Sequence, residues 1–105
     1  MLSFALNNTG PADVVIDRGF PGQRYRVTTF VFSFADGNGC YFRDRLGGNA
    51  ISPLYQASKG GSLNPSNTGG FKNFLAAFGA PLVLAITGTG TITGEIVYEL
   101  LPAGQ

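Results

Sequence analysis

The run from Thr91 to Leu101 alternates more cleanly than any other part of this chain. Ile92, Ile96, Tyr98 and Leu100 fall on one parity. Thr91, Thr93, Glu95, Val97 and Glu99 fall on the other, where only Val97 breaks the polar series. A period of two held this long describes a strand with one covered face and one wet face. The run just before it, Leu82 to Thr87, is apolar on both parities: Leu82, Leu84 and Ile86 against Val83 and Ala85. That suits a strand covered on both sides, or one that faces another subunit. Small residues separate the two runs, so they are expected to form a β-hairpin whose apolar face the rest of the chain must cover with another sheet.

The covering strand is expected between Gln23 and Ala35. Arg24 and Arg26 share a parity with Thr28, Phe30, Phe32 and Phe34, while Tyr25, Val27, Thr29, Val31 and Ser33 hold the other. The strand is charged where it begins and apolar on both faces by its middle, the pattern of a central strand. Burying one phenylalanine contributes roughly 1.5–3 kcal/mol, so three on one face mark the centre of the core. Shorter strands are expected at Phe4–Thr9, Asp13–Asp17, Cys40–Leu46 and Ala50–Gln56, the last an edge strand blunted by Pro53. Turn signals separate them: Asn7 to Pro11, then Pro21-Gly22 in a type II turn, then Asn38-Gly39 as the centre of a hairpin. Phe71, Phe74, Leu75 and Phe78 are spaced i, i+3, i+4, i+7, which predicts a short helical turn near 71–78. About eight antiparallel strands in one domain over residues 1–105, with no βαβ unit, predict an all-β fold, a jelly-roll β-sandwich.

Sixteen glycines and nine phenylalanines accompany a net charge of only +1, too little for an electrostatic footprint on nucleic acid. Between Leu46 and Gly94 the only charged side chains are Lys59 and Lys72. Either this half is partly buried against a partner, or its Ser, Thr, Asn and Gly keep it soluble without charge. A lone cysteine, Cys40, excludes an intrachain disulfide. Neither a signal peptide nor a run of membrane-spanning length is expected.

Catalytic patterns are weak. Without histidine the usual triads and the commonest metal ligand are missing, and Cys40 has no base to activate it. Glu95 and Glu99 share one strand face, where carboxylates are ordinarily solvated rather than paired for glycoside hydrolysis. Asp36-Gly-Asn-Gly39 opens like a calcium loop but lacks the later ligands. Thr87-Gly-Thr-Gly-Thr91 precedes no helix, unlike a phosphate cradle. The chain is expected not to be an enzyme and to use no cofactor and no metal.

The order Pro21-Gly-Gln-Arg-Tyr-Arg-Val27, Gly60-Gly61, Gly70-Phe71, Gly79-Ala-Pro-Leu-Val-Leu84 and Ile92-Thr-Gly-Glu-Ile-Val-Tyr98 resembles small virion proteins of tailed bacteriophages. The resemblance covers most of the chain, as a pattern of turns and apolar positions. The Arg43-Asp-Arg45 tip and the Phe71–Phe78 stretch depart from it. It implies a jelly-roll sandwich that decorates or cements a capsid, bound non-covalently to the major capsid protein, as a homotrimer with no catalytic role. Such a protein is made in the host cytoplasm and ends on the virion surface, with no nucleic-acid or membrane partner. A trimer would bury Leu82, Leu84 and the phenylalanines Phe71, Phe74 and Phe78, while Arg43 and Arg45 could contact an acidic partner. The N-terminal segment Met1–Thr9 could pair within its own sandwich or reach onto a neighbour. The alternative is a tail-fibre or spike module that binds a receptor or carbohydrate, with Tyr41, Tyr55 and Asn49 as its polar and aromatic groups.

Overall fold

The computed structural model describes residues 2–45, 48, 50–63 and 74–102. Their strands are β1 (Leu2–Thr9), β2 (Ala12–Asp17), β3 (Arg24–Phe34), β4 (Asn38–Arg43), β5 (Tyr55–Ala57), β6 (Ser62–Leu63), β7 (Phe74–Leu75), β8 (Leu82–Ile86) and β9 (Thr91–Leu101). Two antiparallel sheets pack as a sandwich. One has the order β1-β9-β3 with β6 and β7 both on the far edge of β3; the other has the order β2-β8-β4-β5. The pairing is that of a long ribbon folded once: β1 lies on β9, β2 on β8, β3 on β6 and β7, and β4 on β5. The ribbon then curls, bringing β3 beside β9 and β4 beside β8. This is the jelly-roll order, with β6 and β7 sharing the place of one strand.

The alternation of β9 holds. Ile92, Ile96 and Tyr98 are buried, and Leu100 packs against the core. The hairpin does not form: β8 and β9 lie in different sheets, and Thr87–Gly90 carries the chain across the sandwich. The same correction applies at Asn38-Gly39, which lies within β4 and follows a crossover from β3. A turn sequence fixes a local change of direction, and whether the chain returns or crosses is decided by which sheet buries the next apolar row.

The two apolar parities of β3 have a single cause. A bulge between Val27 and Thr29 inserts Thr28 opposite β9, and the Thr28 hydroxyl donates to the Val97 carbonyl at 2.9 Å. The inward positions are therefore Tyr25 and Val27 before the bulge and Phe30, Phe32 and Phe34 after it. One extra residue moves the apolar set to the other parity while the buried face stays the same. Phe30 and Phe32 stack at 4.8 Å between ring centroids, and Phe42 of the facing sheet lies 6.0 and 6.2 Å from them. Tyr55 and Phe74 close the cluster.

No helix occurs among the described residues. Phe74 and Leu75, placed in a helical turn by their spacing, are extended and pair with Val27 and Arg26 of β3. Phe74 points into the core, Leu75 points out, and Phe78 sits in the turn that follows. Phe71 lies outside the described residues. Ser62–Leu63, loop-like in sequence, pairs with the end of β3. The type II turn at Pro21-Gly22 is present, with the Gln23 amide donating to the Phe20 carbonyl at 3.1 Å and Gly22 at φ 75°. The same device recurs at Ser58–Gly61 and Ala77–Ala80, each with a glycine at positive φ in the third place.

Candidate functional site

Arginine placement distinguishes one end of the sandwich from the other. β2 finishes where β3 begins, and β4 finishes level with that point, because Arg43 is opposite Val83 and Val83 is opposite Val15. Arg18 follows β2, Arg24 and Arg26 open β3, Arg43 ends β4 and Arg45 lies just after it. All five arginines of the chain therefore share one end. They are spread over almost thirty residues of sequence, and only the topology gathers them.

Two of them stand on phenylalanines. The Arg24 guanidinium lies 4.4 Å from the centre of the Phe78 ring, and Arg18 lies 4.8 Å from that of Phe20. Arg24 also donates through Nε to the Ala76 carbonyl at 3.0 Å, which fixes the stack. The loops that carry the two pairs are pressed together: the Gly79 amide donates to the Gln23 carbonyl at 2.7 Å, and a Cβ at Gly19 would collide with the Gly79 carbonyl oxygen. Phe78 keeps 53% of its surface exposed. A phenyl ring under a guanidinium presents a rigid apolar and cationic face, suited to an acidic or carboxylate-bearing partner.

Beneath this rim two tyrosines anchor the loop. Tyr25 donates its hydroxyl to the Arg18 carbonyl, and Tyr98 donates to Asp17 Oδ2 at 2.9 Å. The Arg18 amide donates to Asp17 Oδ1 at 2.9 Å, so one carboxylate holds both strand end and loop. Beside them Arg26 is paired with Glu99. That pair is substantially exposed, so solvent screening limits it to ~0–1 kcal/mol.

Of the seven residues expected at a contact surface, Leu82 and Leu84 are fully buried between the sheets of the single chain and offer nothing to a neighbour. Strand β8 is covered on its outer side as well. Arg43 reaches across to Asp13 with both oxygens at 3.0 and 3.1 Å, donates to the Gly48 carbonyl, and lies 5.3 Å over the Tyr41 ring. These side chains cover Val83 and Ala85, which explains the two-sided apolar run without a second subunit. Phe74 is half-buried in the core, whereas Phe78 and Arg45 are exposed at the arginine end. Tyr55, a candidate glycan contact, is buried in the aromatic cluster; Tyr41 lies under Arg43, and Asn49 is outside the described residues.

The other sequence candidates separate. Glu99 faces Arg26, and Glu95 stands apart on the outer face. Among the described residues no three of His, Cys, Asp and Glu gather as metal ligands. The Gly88 amide is taken by the Asn38 side chain. Burial pushes the Cys40 thiol up to about 12. Burial, then the hydrogen bond and charge of Asp17, raise Tyr98 to about 12. Burial, then Cys40, raises Tyr55 to about 12. Tyr25 is raised by burial first and Asp17 next.

These groups stay protonated in the fold above the pH at which they ionise in the unfolded chain. Their contribution is complete below about pH 8, where even the unfolded thiol is protonated, and is lost as pH climbs toward about 12. Thermal melts should show a steady midpoint to about pH 8 and a progressive fall above it, with Cys40 unreactive to a thiol reagent until the protein unfolds. A flat midpoint through the alkaline range, or rapid native-state modification of Cys40, contradicts this.

Comparison of the chain with protein-family models, with curated proteins and with solved structures found no match.

Proposed function

We propose that this chain is a structural protein of a tailed-phage virion. It decorates or cements the capsid, docking its arginine end non-covalently onto the major capsid protein, and it catalyses nothing. The gathering of all five arginines at one end, two of them on phenylalanine rings, carries the proposal. Support also comes from the jelly-roll strand order, which the virion-protein resemblance implies. Anchors of this kind, an aromatic ring and an arginine side by side, are enriched among residues that dominate binding energy. The acidic groups of a capsid surface would complete them. The homotrimer implied by the same resemblance loses its physical motive, because Leu82 and Leu84 are buried within one chain. The tail-fibre alternative loses its exposed aromatic candidates for the same reason, since Tyr55 is buried and Tyr41 is covered.

Quantitative mass spectrometry of purified virions of the encoding phage tests the reading, with hundreds of copies per particle expected on the head. Heads lacking the chain should bind the purified protein in co-sedimentation. Phe78→Ala combined with Arg18→Gln should weaken that binding at least about ten-fold while leaving circular dichroism unchanged, since both side chains are at the surface. A few tens of copies confined to the tail, or undiminished binding by the double variant, would overturn the assignment.

A further inference from the structure

A sandwich of two open sheets has edges, and an unpaired edge is a template for another strand. Three of the edges here are blunted. The far side of β3 carries β6 and β7, each two residues long. β5 is three residues long and follows Pro53. β2 carries Asp13 and Asp17 and is bent by a bulge between Val15 and Asp17. β1 has none of these devices. It is eight residues long, Leu-Ser-Phe-Ala-Leu-Asn-Asn-Thr, with no charge, no proline and an unbroken register against β9. Among the described residues no strand pairs with its other side.

The hydrogen-bond phase tells which groups are free. The Gly10 amide donates to the Gly90 carbonyl at 3.3 Å, and the register continues as Asn8 on Ile92, Leu6 on Gly94 and Phe4 on Ile96. In an antiparallel ladder bonded and non-bonded pairs alternate. Leu2, Phe4, Leu6 and Asn8 therefore spend their amides and carbonyls on β9. Ser3, Ala5, Asn7 and Thr9 turn theirs to the open edge, and all four residues are exposed.

We propose that β1 pairs antiparallel with β1 of a second copy about a twofold axis at Ala5, joining two β1-β9-β3 sheets into one. The strand is complementary to itself in this register. Ala5 exchanges bonds with Ala5, Ser3 with Asn7, and Phe4 lies beside Leu6 so that the inward apolar rows run on from one copy to the next. No charged side chain of β1 meets another, whereas the same arrangement on β2 would bring aspartates toward each other. The interface is isologous and closes as a dimer. It leaves the arginine end of each copy free, so it stands or falls independently of the capsid reading.

The test is sedimentation equilibrium of the purified chain at micromolar concentration, with a dimer expected. Ala5→Lys places like charges across the axis from a solvent-facing position and should give a monomer with unchanged circular dichroism. Ala5→Pro removes an amide that β9 does not use and should do the same. Should either variant misfold, Ala5→Cys supplies the positive test. Mild oxidation should link two copies through position 5, since bonded antiparallel partners lie about 5.5 Å apart at Cα, within disulfide range. Ser3→Cys, which faces Asn7, should not self-link. A wild-type monomer or trimer overturns the proposal, as does a dimer that survives Ala5→Lys or that fails to link through Ala5→Cys.

Discussion

Gly94→Ala is expected to cost about 4 kcal/mol of stability, lowering the melting midpoint by about 20 °C. The glycine lies in the middle of β9, between Leu6 of β1 and Phe32 of β3, and its φ of 152° is one that side-chain-bearing residues rarely adopt. A Cβ there would sit on the Val31 carbonyl oxygen, with the Val31 carbonyl carbon at 2.9 Å and the Phe32 Cα at 3.1 Å. All of those atoms are backbone of the neighbouring central strand, so no rotamer change relieves the clash. β3 and β9 would have to part along a ladder that runs from Arg24 on Leu101 to Phe34 on Ile92. Gly60→Ala is the control. Its φ is 78°, yet nothing lies within 4 Å of its missing Cβ, so only local backbone strain of about 1 kcal/mol is at stake. Denaturant titrations of the two variants decide it: equal losses would mean that the close approach of β3 is not what the glycine serves.

The same position shows why β9 was legible and its surroundings were not. Every inward place on β9 except Gly94 is apolar, so the alternation survives a missing side chain. On β3 the bulge at Thr28 adds one residue, and a strand with a single buried face then reads as apolar on two. On β8 the outer cover comes from Arg43 and Tyr41, whose stems and ring shield Val83 and Ala85 although their sequence reads as polar or partly so. The helical spacing of Phe71, Phe74, Leu75 and Phe78 was coincidental for the described members. Phe74 alternates inward, Leu75 outward, and Phe78 belongs to a turn. The arginine end was invisible for a different reason. Arg18, Arg24 and Arg43 come together only because successive strands change sheets and direction, and nothing local in the sequence records which crossover is made. The jelly-roll class is readable from strand number and spacing; the pairing that defines its edges, and so the open side of β1, is set by contacts between strands far apart in the chain.

Asn38 is expected to matter nearly as much as Gly94. Its side chain is 8% exposed and makes three bonds at the end of the sandwich opposite the arginines. Nδ2 donates to the Gly90 carbonyl at 2.8 Å, while Oδ1 accepts from the Gly39 amide at 2.8 Å and the Gly88 amide at 2.6 Å. The crossing loop Thr87–Gly90 is thus folded around one carboxamide, and a Cβ at Gly88 would collide with Asn38 Oδ1. Asn38→Ala leaves the Gly39 and Gly88 amides without this acceptor and leaves the Gly90 carbonyl only its bond from the Gly10 amide, at a cost of about 3 kcal/mol. Asn38→Asp is the sharper probe. A carboxylate keeps both acceptor bonds but turns an anion toward the Gly90 carbonyl, where only a donor is stabilising. Protonation restores a hydroxyl donor, so the fold favours the neutral acid and holds it to higher pH than the unfolded chain does. The variant's deficit relative to wild type should therefore be smallest near about pH 4 and grow as pH rises toward about 7. Urea titrations of both proteins at the two pH values measure that difference directly. A deficit independent of pH would show that the donor to Gly90 contributes nothing, and no deficit at either pH would show that the loop does not depend on Asn38 at all.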